Sequence, residues 1–266
     1  MHRSDQCPEA GSAACKPCGL AIESWTWTTA DGLTLHISAW SPPGTPKAVI
    51  ALLHGLGSHA QRLAPLAEAL AAAGYAVAGL DLRGFGRSGG RRGHTPSLEV
   101  YLDDIAGFLA QLSRRWPGLP QVLHGHSMGA VLALAFTLTR PAPLAGVIAS
   151  SAGLRTRVAE QRLKLLLVRL LGRLLPTLPL DNGLELSRLS RDPGVQDAVA
   201  ADPLCHRTVT MAWGLALLQA IARVQANAAL LALPVLLQHG SDDGIAYPDG
   251  SLRFAAAAPA GRVTLK

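Results

Sequence analysis

Charged side chains are scarce in this chain. Asp, Glu, Lys and Arg make up 16% of its 266 residues, whereas roughly 25% is typical of soluble domains. Hydrophobic residues, by contrast, make up 49%. A chain of this length and composition can enclose a well-buried core, and we expect one large domain.

Long apolar runs and a secretion signal are also missing. No uncharged apolar run approaches the ~20 residues that a membrane-spanning helix needs. The first 20 residues are rich in Ala, Cys, Pro and Gly and contain no apolar segment of the kind found in signal peptides. These features predict a cytoplasmic protein.

The excess of positive charge is confined to one stretch. The net charge is +6, but residues 154–191 hold eight Arg and Lys against three Asp and Glu, which accounts for five of the six charges. No aromatic side chains are interleaved with these basic ones, as they would be on a nucleic-acid-binding surface. We therefore expect no nucleic-acid partner.

Cysteines are few, and three of the four lie near the N-terminus, namely Cys7, Cys15 and Cys18, with Cys205 far downstream. The pair Cys15-x-x-Cys18 has the spacing of a redox or zinc site. However, no strand pattern precedes it and no second pair completes a tetrahedral set. We favour an unstructured leader over residues 1–22 and expect no metal site.

Strand and helix patterns alternate along most of the chain. Two alternating runs on either side of Ala30-Asp31-Gly32 indicate a β-hairpin. The apolar runs that indicate buried strands cover residues 48–53, 75–80, 119–124, 146–150 and 234–239. This alternation predicts an α/β fold, with a mostly parallel, twisted sheet, helices on both faces and right-handed crossovers.

A helical segment rich in Leu and Arg interrupts this alternation. We expect residues 23–153 to form the first part of the core, residues 154–226 a helical cap or lid, and residues 227–266 the second part of the core. The last five residues, Arg262-Val-Thr-Leu-Lys266, have the pattern of the middle of a strand, so this second part is expected to be incomplete.

A buried strand, a corner at Ser127 and a helix beginning at Met128 form the most informative stretch. Gly125 and Gly129 flank the serine, at positions where an abrupt reversal from strand to helix leaves no room for side chains. Such a nucleophile elbow holds the serine hydroxyl clear of the sheet. It also leaves the Met128 N–H free to stabilise an oxyanion.

A serine nucleophile needs a base, which is oriented in turn by an acid. The segment Gly240-Ser-Asp-Asp243 follows a predicted strand. A carboxylate, Asp242 or Asp243, is therefore expected at the carboxyl edge of the sheet, to which the elbow also points.

The turn at His54-Gly55-Leu56 ends a strand that is expected to lie beside the elbow strand. A glycine there allows the Leu56 N–H to point to the same place as the Met128 N–H. The pattern therefore predicts an oxyanion hole with two donors.

The sequence shows no candidate for the catalytic base. The nine histidines stand at positions 2, 36, 54, 59, 94, 124, 126, 206 and 239. In elbow hydrolases the order along the chain is Ser, acid, His, and no histidine follows Asp243. His124 and His126 belong to the elbow itself and are not expected to reach the serine hydroxyl, and nothing in the sequence places His59 or His94 there.

Taken together, these motifs resemble the α/β-hydrolase superfamily, and within it the monoacylglycerol lipase and lysophospholipase group. The segments that carry the resemblance are His54-Gly-Leu-Gly-Ser-His59 with Arg62, Asp81-Leu-Arg-Gly-Phe-Gly-Arg-Ser-Gly89, Gly125-His-Ser-Met-Gly129, Arg191-Asp-Pro193, Asp202-Pro-Leu204 and Pro234-Val-Leu-Leu-Gln-His-Gly-Ser-Asp-Asp243. The segments follow one another in order, and the resemblance as a whole covers about residues 23–266.

The resemblance implies a role for each matching residue. Ser127 corresponds to the nucleophile, Asp243 to the acid, and Leu56 and Met128 to the oxyanion donors. The family's base lies beyond the strand that Val263-Thr-Leu265 resembles, commonly in a Gly-x-x-His-Glu turn. This chain ends before such a turn, and we expect a C-terminally shortened copy whose hydrolysis is impaired.

The helical segment over residues 154–226, which we call the insertion, has arginines aligned along one side, which we call the arginine stripe. At 100° per residue, four arginines fall within about 40° of one another on a helix, namely Arg155, Arg162, Arg169 and Arg173. Leucines cover most of the remaining surface. Two interpretations stay open: a lid whose arginines contact anionic lipid headgroups at a membrane surface, or a cap helix packed on the core with a solvated edge.

The sequence as a whole predicts a serine esterase or lipase that hydrolyses acylglycerol or lysophospholipid esters without a metal or organic cofactor. Two alternatives remain. One is a non-catalytic protein that binds a lipid or acyl group, and the other is a thioesterase or general carboxylesterase.

Overall fold

The computed structural model describes residues 20–156 and 162–266. Eight strands form one sheet in the spatial order β1-β2-β4-β3-β5-β6-β9-β10, and β7 and β8 form a separate pair. The strands are β1 (Ala21–Thr28), β2 (Thr34–Ser41), β3 (Val49–Leu53), β4 (Ala76–Asp81), β5 (Gln121–His126), β6 (Leu144–Ser150), β7 (Pro179–Asp181), β8 (Thr208–Thr210), β9 (Val235–Gln238) and β10 (Val263–Leu265).

The predicted hairpin is present as β1 and β2, which pair antiparallel from Ala21↔Ser41 to Thr28↔Thr34. Strand β1 begins within the segment expected to be a leader, because the pairing with β2 extends back to Ala21. Cys7, Cys15 and Cys18 lie outside the described residues. Strand β2 also pairs antiparallel with β4, and the remaining pairs of the large sheet are parallel.

Seven α-helices connect or cap these strands in the described ranges. They are α1 (Ala64–Ala72), α2 (Leu98–Arg115), α3 (Met128–Thr139), α4 (Arg162–Leu171), α5 (Pro193–Ala200), α6 (Met211–Asn227) and α7 (Pro248–Ala257). In α2 the apolar residues recur at helical spacing and are buried, among them Leu98, Tyr101, Ile105 and Leu112. The helix is capped by Ser97, whose Oγ accepts a hydrogen bond from Val100 N–H at 3.4 Å.

The core has two layers because successive side chains of a strand point to opposite faces of a sheet. In β3, Ile50 and Leu52 pack with Ala67 and Ala71 of α1 on one face. The alternate residues of β3 pack on the other face in the larger cluster, which includes the buried sides of α2 and α3. The α/β fold predicted from the alternation, with helices on both faces of a mostly parallel sheet, is confirmed.

The insertion contains helices of two kinds. Helix α6 packs against α3, and its Trp213, Ala216 and Val224 belong to the larger core cluster. Helix α4 instead exposes Leu166 and Leu170. No helix in the described ranges combines the length and the apolar character that crossing a bilayer requires.

Candidate active site

Ser127 forms the corner between β5, which ends at His126, and α3, which begins at Met128. Its φ of 54° and ψ of −112° are unfavourable for a residue with a side chain. The flanking glycines explain why the corner can form. A Cβ on Gly125 would lie 2.2 Å from the carbonyl oxygen of Gly129, and one on Gly129 would lie 2.3 Å from that of Leu53.

Backbone hydrogen bonds hold the strained corner in place. The N–H of Ser127 donates to the carbonyl of Ser150 on β6 at 2.9 Å, and the carbonyl of Ser127 accepts from the N–H groups of Val131 at 3.2 Å and Gly153 at 3.3 Å. Both sides of the corner are thereby tied to the sheet and the helix, so Ser127 is fixed at the carboxyl edge.

Two cavities meet at Ser127. One has a volume of about 370 Å³ and is mainly apolar, with α4 and α6 contributing Leu165, Val168, Trp213 and Leu217 to its lining. The other, of about 1440 Å³, is more open and more polar. We call them the apolar cavity and the wide cavity. Leu56 and Ser127 line both.

The turn after β3 lies directly against the serine. A Cβ on Gly55 would be 3.4 Å from the Cβ of Ser127. The amide of Leu56 has no hydrogen-bond partner within the described ranges, and neither has that of Met128, which begins a helix where amides lack intrahelical partners. Two free N–H groups therefore flank the serine, as an oxyanion hole requires.

His54 positions this turn, a role that the sequence analysis missed. Its Nε2 accepts from Leu82 N–H at 3.0 Å, so its Nδ1 carries the ring proton and donates to the Gly55 carbonyl at 2.8 Å. Complete burial lowers the pKa of His54 to about 4, which keeps the ring neutral. The sequence feature that indicates this role is the position of His54 directly before Gly55, at the end of a buried strand.

The structure distinguishes the two candidate acids. Asp243 accepts hydrogen bonds from the N–H groups of Ile245 at 2.9 Å and Ala246 at 3.0 Å, and it lines the wide cavity together with Ser127. Asp242 also borders this cavity, but its side chain is 82% exposed and pairs with Arg191 at 2.5 Å. Asp243 is therefore the carboxylate with a fixed orientation.

The charge of Asp243 is stabilised by its surroundings. Burial raises the pKa of this carboxyl, but the nearby His239 ring, whose Nε2 lies 3.6 Å from Asp243 Oδ2, and hydrogen bonds from the two backbone amides outweigh burial and lower it overall. The Asp243 side chain is therefore ionised at neutral pH.

None of the described histidines donates to or accepts from the Ser127 hydroxyl. His239 is occupied at both nitrogens, with Nδ1 2.7 Å from Ser251 Oγ and Nε2 2.8 Å from the Ala246 carbonyl. His59 and His94 contact Asp202 and Thr210 instead.

The two elbow histidines share one hydroxyl. Ser150 Oγ lies 3.1 Å from Nδ1 of His126 and 3.3 Å from Nε2 of His124. Burial lowers the pKa of both rings, that of His124 to about 4. His126 lines the wide cavity beside Ser127, but its hydrogen bond is to Ser150.

The structure differs from the arginine stripe that the sequence predicts for the insertion. Arg155 lies before α4, because its carbonyl accepts from Tyr247 N–H at 2.8 Å and the next residue pairs with Ala246. Its guanidinium contacts Asp249 at 2.5 Å. Arg162 begins α4, whereas Arg169 within the helix and Arg173 beyond its end are exposed. Arg155 was therefore wrongly placed on the helical stripe.

Comparison with known proteins agrees with this architecture. The family model described as serine aminopeptidase, S33, matches residues 44–266. Monoglyceride lipase of Rattus norvegicus is 33% identical over 262 residues, covering 97% of this chain and 86% of the relative. Monoacylglycerol lipase of Mycolicibacterium smegmatis is 32% identical over 221 residues, covering 83% and 79%.

Solved structures are similar as well. The crystal structure of Paleococcus ferrophilus monoacylglycerol lipase has a TM-score of 0.78 at 31% identity, covering 92% of this chain and 87% of that one. A monoglyceride lipase from Saccharomyces cerevisiae has a TM-score of 0.86 at 23% identity, covering 97% and 89%, and supports the fold. The chain therefore belongs to the serine aminopeptidase S33 family of α/β-hydrolases and is a serine hydrolase of carboxylic esters related to the monoglyceride lipases.

Proposed function

We propose that this chain cleaves the acyl ester of monoacylglycerols, with Ser127 as the nucleophile. The observation that carries the proposal is the position of Ser127 between the two cavities. An acyl chain fits the apolar cavity, and a polar alcohol fits the wide one. Several relatives are named for the same activity.

The proposed chemistry is acyl transfer through a covalent intermediate. Ser127 Oγ attacks the ester carbonyl and loses its proton to a base, while the N–H groups of Leu56 and Met128 stabilise the oxyanion. The alcohol leaves with a proton, and water then releases the fatty acid. Gly125 and Gly129 permit the corner, and Asp243 is the acid that would orient an imidazole base, which none of the described histidines supplies.

We further propose that the 266 residues hydrolyse esters poorly because none of the described histidines bonds to the Ser127 hydroxyl. Loss of a triad member leaves only the roughly 10³–10⁴-fold catalysis that binding and the oxyanion hole provide. Turnover of p-nitrophenyl butyrate should therefore be slow, and added imidazole should raise it. Fast turnover that imidazole does not change would contradict this and identify a base within the chain.

A fluorophosphonate probe tests the nucleophile separately from turnover. With imidazole added to supply the base, we expect fluorophosphonate labelling of the purified chain to disappear in Ser127→Ala. Ser151→Ala is the matched control, since Ser151 is the other described non-glycine residue with a positive φ. Labelling that persists in Ser127→Ala would overturn the assignment of the nucleophile.

A non-catalytic acyl-binding protein is the second candidate, favoured by the lack of any hydrogen bond between a described histidine and Ser127. It predicts that a long-chain monoacylglycerol binds and is not hydrolysed even when imidazole is added. Direct comparison of thioester and oxygen ester substrates tests the thioesterase alternative.

Peripheral contact with a membrane is a separate proposal. Leu166, Leu170 and Leu174 are 51%, 60% and 75% exposed, and Arg169 and Arg173, close to them in the sequence, are exposed as well. An exposed apolar surface with flanking cations suits an anionic bilayer. Co-sedimentation with phosphatidylglycerol vesicles, and not with phosphatidylcholine vesicles, is the expected result. The cytoplasmic location stays a prediction.

A further inference from the structure

Three metal-ligating side chains meet where the insertion contacts the core, apart from the proposed nucleophile and acid. His59, Asp202 and Cys205 each offer one donor atom, and these atoms lie within 4.8 Å of one another. His59 follows β3 in the core, whereas Asp202 and Cys205 lie between α5 and β8 in the insertion. We propose that they bind a zinc ion that cross-links the insertion to the core.

The donor set has the chemistry that zinc prefers. Zinc is bound tetrahedrally by imidazole nitrogen, thiolate sulfur and carboxylate oxygen, with donors roughly 3.5 Å apart. The His59 Nε2 and Asp202 Oδ2 atoms are already 2.8 Å apart, so a shift of about 1 Å brings the three donors to that spacing. A thiolate and an imidazole in the set select against magnesium and calcium, which prefer oxygen ligands.

The surroundings also favour a ligand at this point. The side chains of His59 and Asp202 are only 4% and 18% exposed. Two of the three donor groups are therefore shielded from bulk solvent, as the ligands of a structural ion are.

The charges balance when zinc binds. The S–H bond of Cys205 breaks, a zinc–sulfur bond forms, and one proton is released to solvent. His59 stays neutral, because the proton that its Nε2 donates to Asp202 moves to Nδ1 when Nε2 binds the metal. One thiolate and one carboxylate then cancel the charge of the ion, which makes the site compatible with the neighbouring Arg62 guanidinium.

The fourth coordination position would be open to water. Cys205 and Arg62 line the wide cavity, so solvent can reach the metal from that side. The site holds the segment before β8 against the loop after β3 and takes no part in the proposed ester hydrolysis. Zinc binding and hydrolysis can therefore succeed or fail independently.

The test uses the full chain carrying Cys7→Ser, Cys15→Ser and Cys18→Ser, because the N-terminal cysteines could bind zinc themselves. Zinc chloride is titrated against a chromophoric chelator, and cobalt is used as a spectroscopic substitute. We expect one zinc ion per chain and a thiolate-to-cobalt charge-transfer band. The melting temperature should rise by about 5 °C or more at saturating zinc, with no rise in magnesium.

Two further substitutions in this background decide the assignment. Cys205→Ser should remove the cobalt band, and Asp202→Asn should weaken zinc binding at least tenfold. Asp242→Asn is the matched control, because Asp242 is an exposed carboxylate beside the same cavity, and it should bind zinc like the parent. The proposal is overturned if the parent binds no zinc, or if its zinc stoichiometry survives Cys205→Ser in a variant that melts like the parent.

Discussion

At the scale of single residues, the main features of the site follow from local constraints. The spacing of Gly125, Ser127 and Gly129 predicted the elbow only together with the buried strand before it and the helix after it, and each glycine fills a position where a Cβ would overlap backbone atoms. The choice between Asp242 and Asp243 could not be made from spacing alone. It depends on the backbone amides of residues 245 and 246, whose direction is set by the turn.

The backbone strain at Ser127 leads to a stability prediction. A residue with a side chain in this region costs of order 1–3 kcal/mol, and glycine adopts it without that cost. Ser127→Gly should therefore raise the free energy of unfolding by about 1 kcal/mol, whereas Ser127→Ala should leave it nearly unchanged. Urea denaturation measures both. Equal stabilities for the two variants would show that the corner stores no strain.

At the scale of elements, the strands and helices lie where the hydrophobic periodicity predicts them. The predictions from sequence were wrong where contacts with a distant segment determine the structure. The stripe was extended back to Arg155 because its spacing fits a helix, but β-type contacts with residues 246 and 247 hold that segment outside α4. The apolar cavity could not be foreseen either. It forms between α4 and α6, whose relative position depends on the packing of α6 on the core.

This cavity leads to a prediction about acyl chain length. Leu217 of α6 lines the apolar cavity, and Leu217→Trp should fill part of it. A fluorophosphonate with a long alkyl chain should then label Ser127 at least tenfold more slowly, since each methylene that no longer fits costs about 1–3 kcal/mol. A short-chain fluorophosphonate should label at an unchanged rate.

The control for this chain-length experiment is a variant with a tryptophan in the wide cavity instead of the apolar cavity. Leu189 lines the wide cavity and is 40% exposed, so Leu189→Trp should leave the ratio of long-chain to short-chain labelling rates unchanged. A fall in this ratio for Leu189→Trp, with none for Leu217→Trp, would place the acyl group in the wide cavity.

At the scale of the whole molecule, buried histidines make stability depend on pH. Burial lowers the pKa of His54 and of His124 from 6.5 to about 4, so the unfolded chain binds protons in this interval that the folded chain does not. Stability is therefore complete above pH 6.5 and is lost as the pH falls towards 4. At pH 5 the loss is about 2 kcal/mol for each histidine, a large share of a typical total of about 5–15 kcal/mol.

Two histidine substitutions check the sign of this dependence. His124→Gln should reduce the loss of unfolding free energy between pH 7 and pH 5, because it removes one group whose protonation favours the unfolded chain. His239 acts in the opposite direction. Burial lowers the pKa of its ring, but contacts with Asp243 and the Ala246 carbonyl outweigh burial and raise it, so its protonation stabilises the folded chain as the pH falls. His239→Gln should therefore enlarge the loss, and an equal pH dependence in the two variants would mean that burial of the imidazoles does not control acid stability.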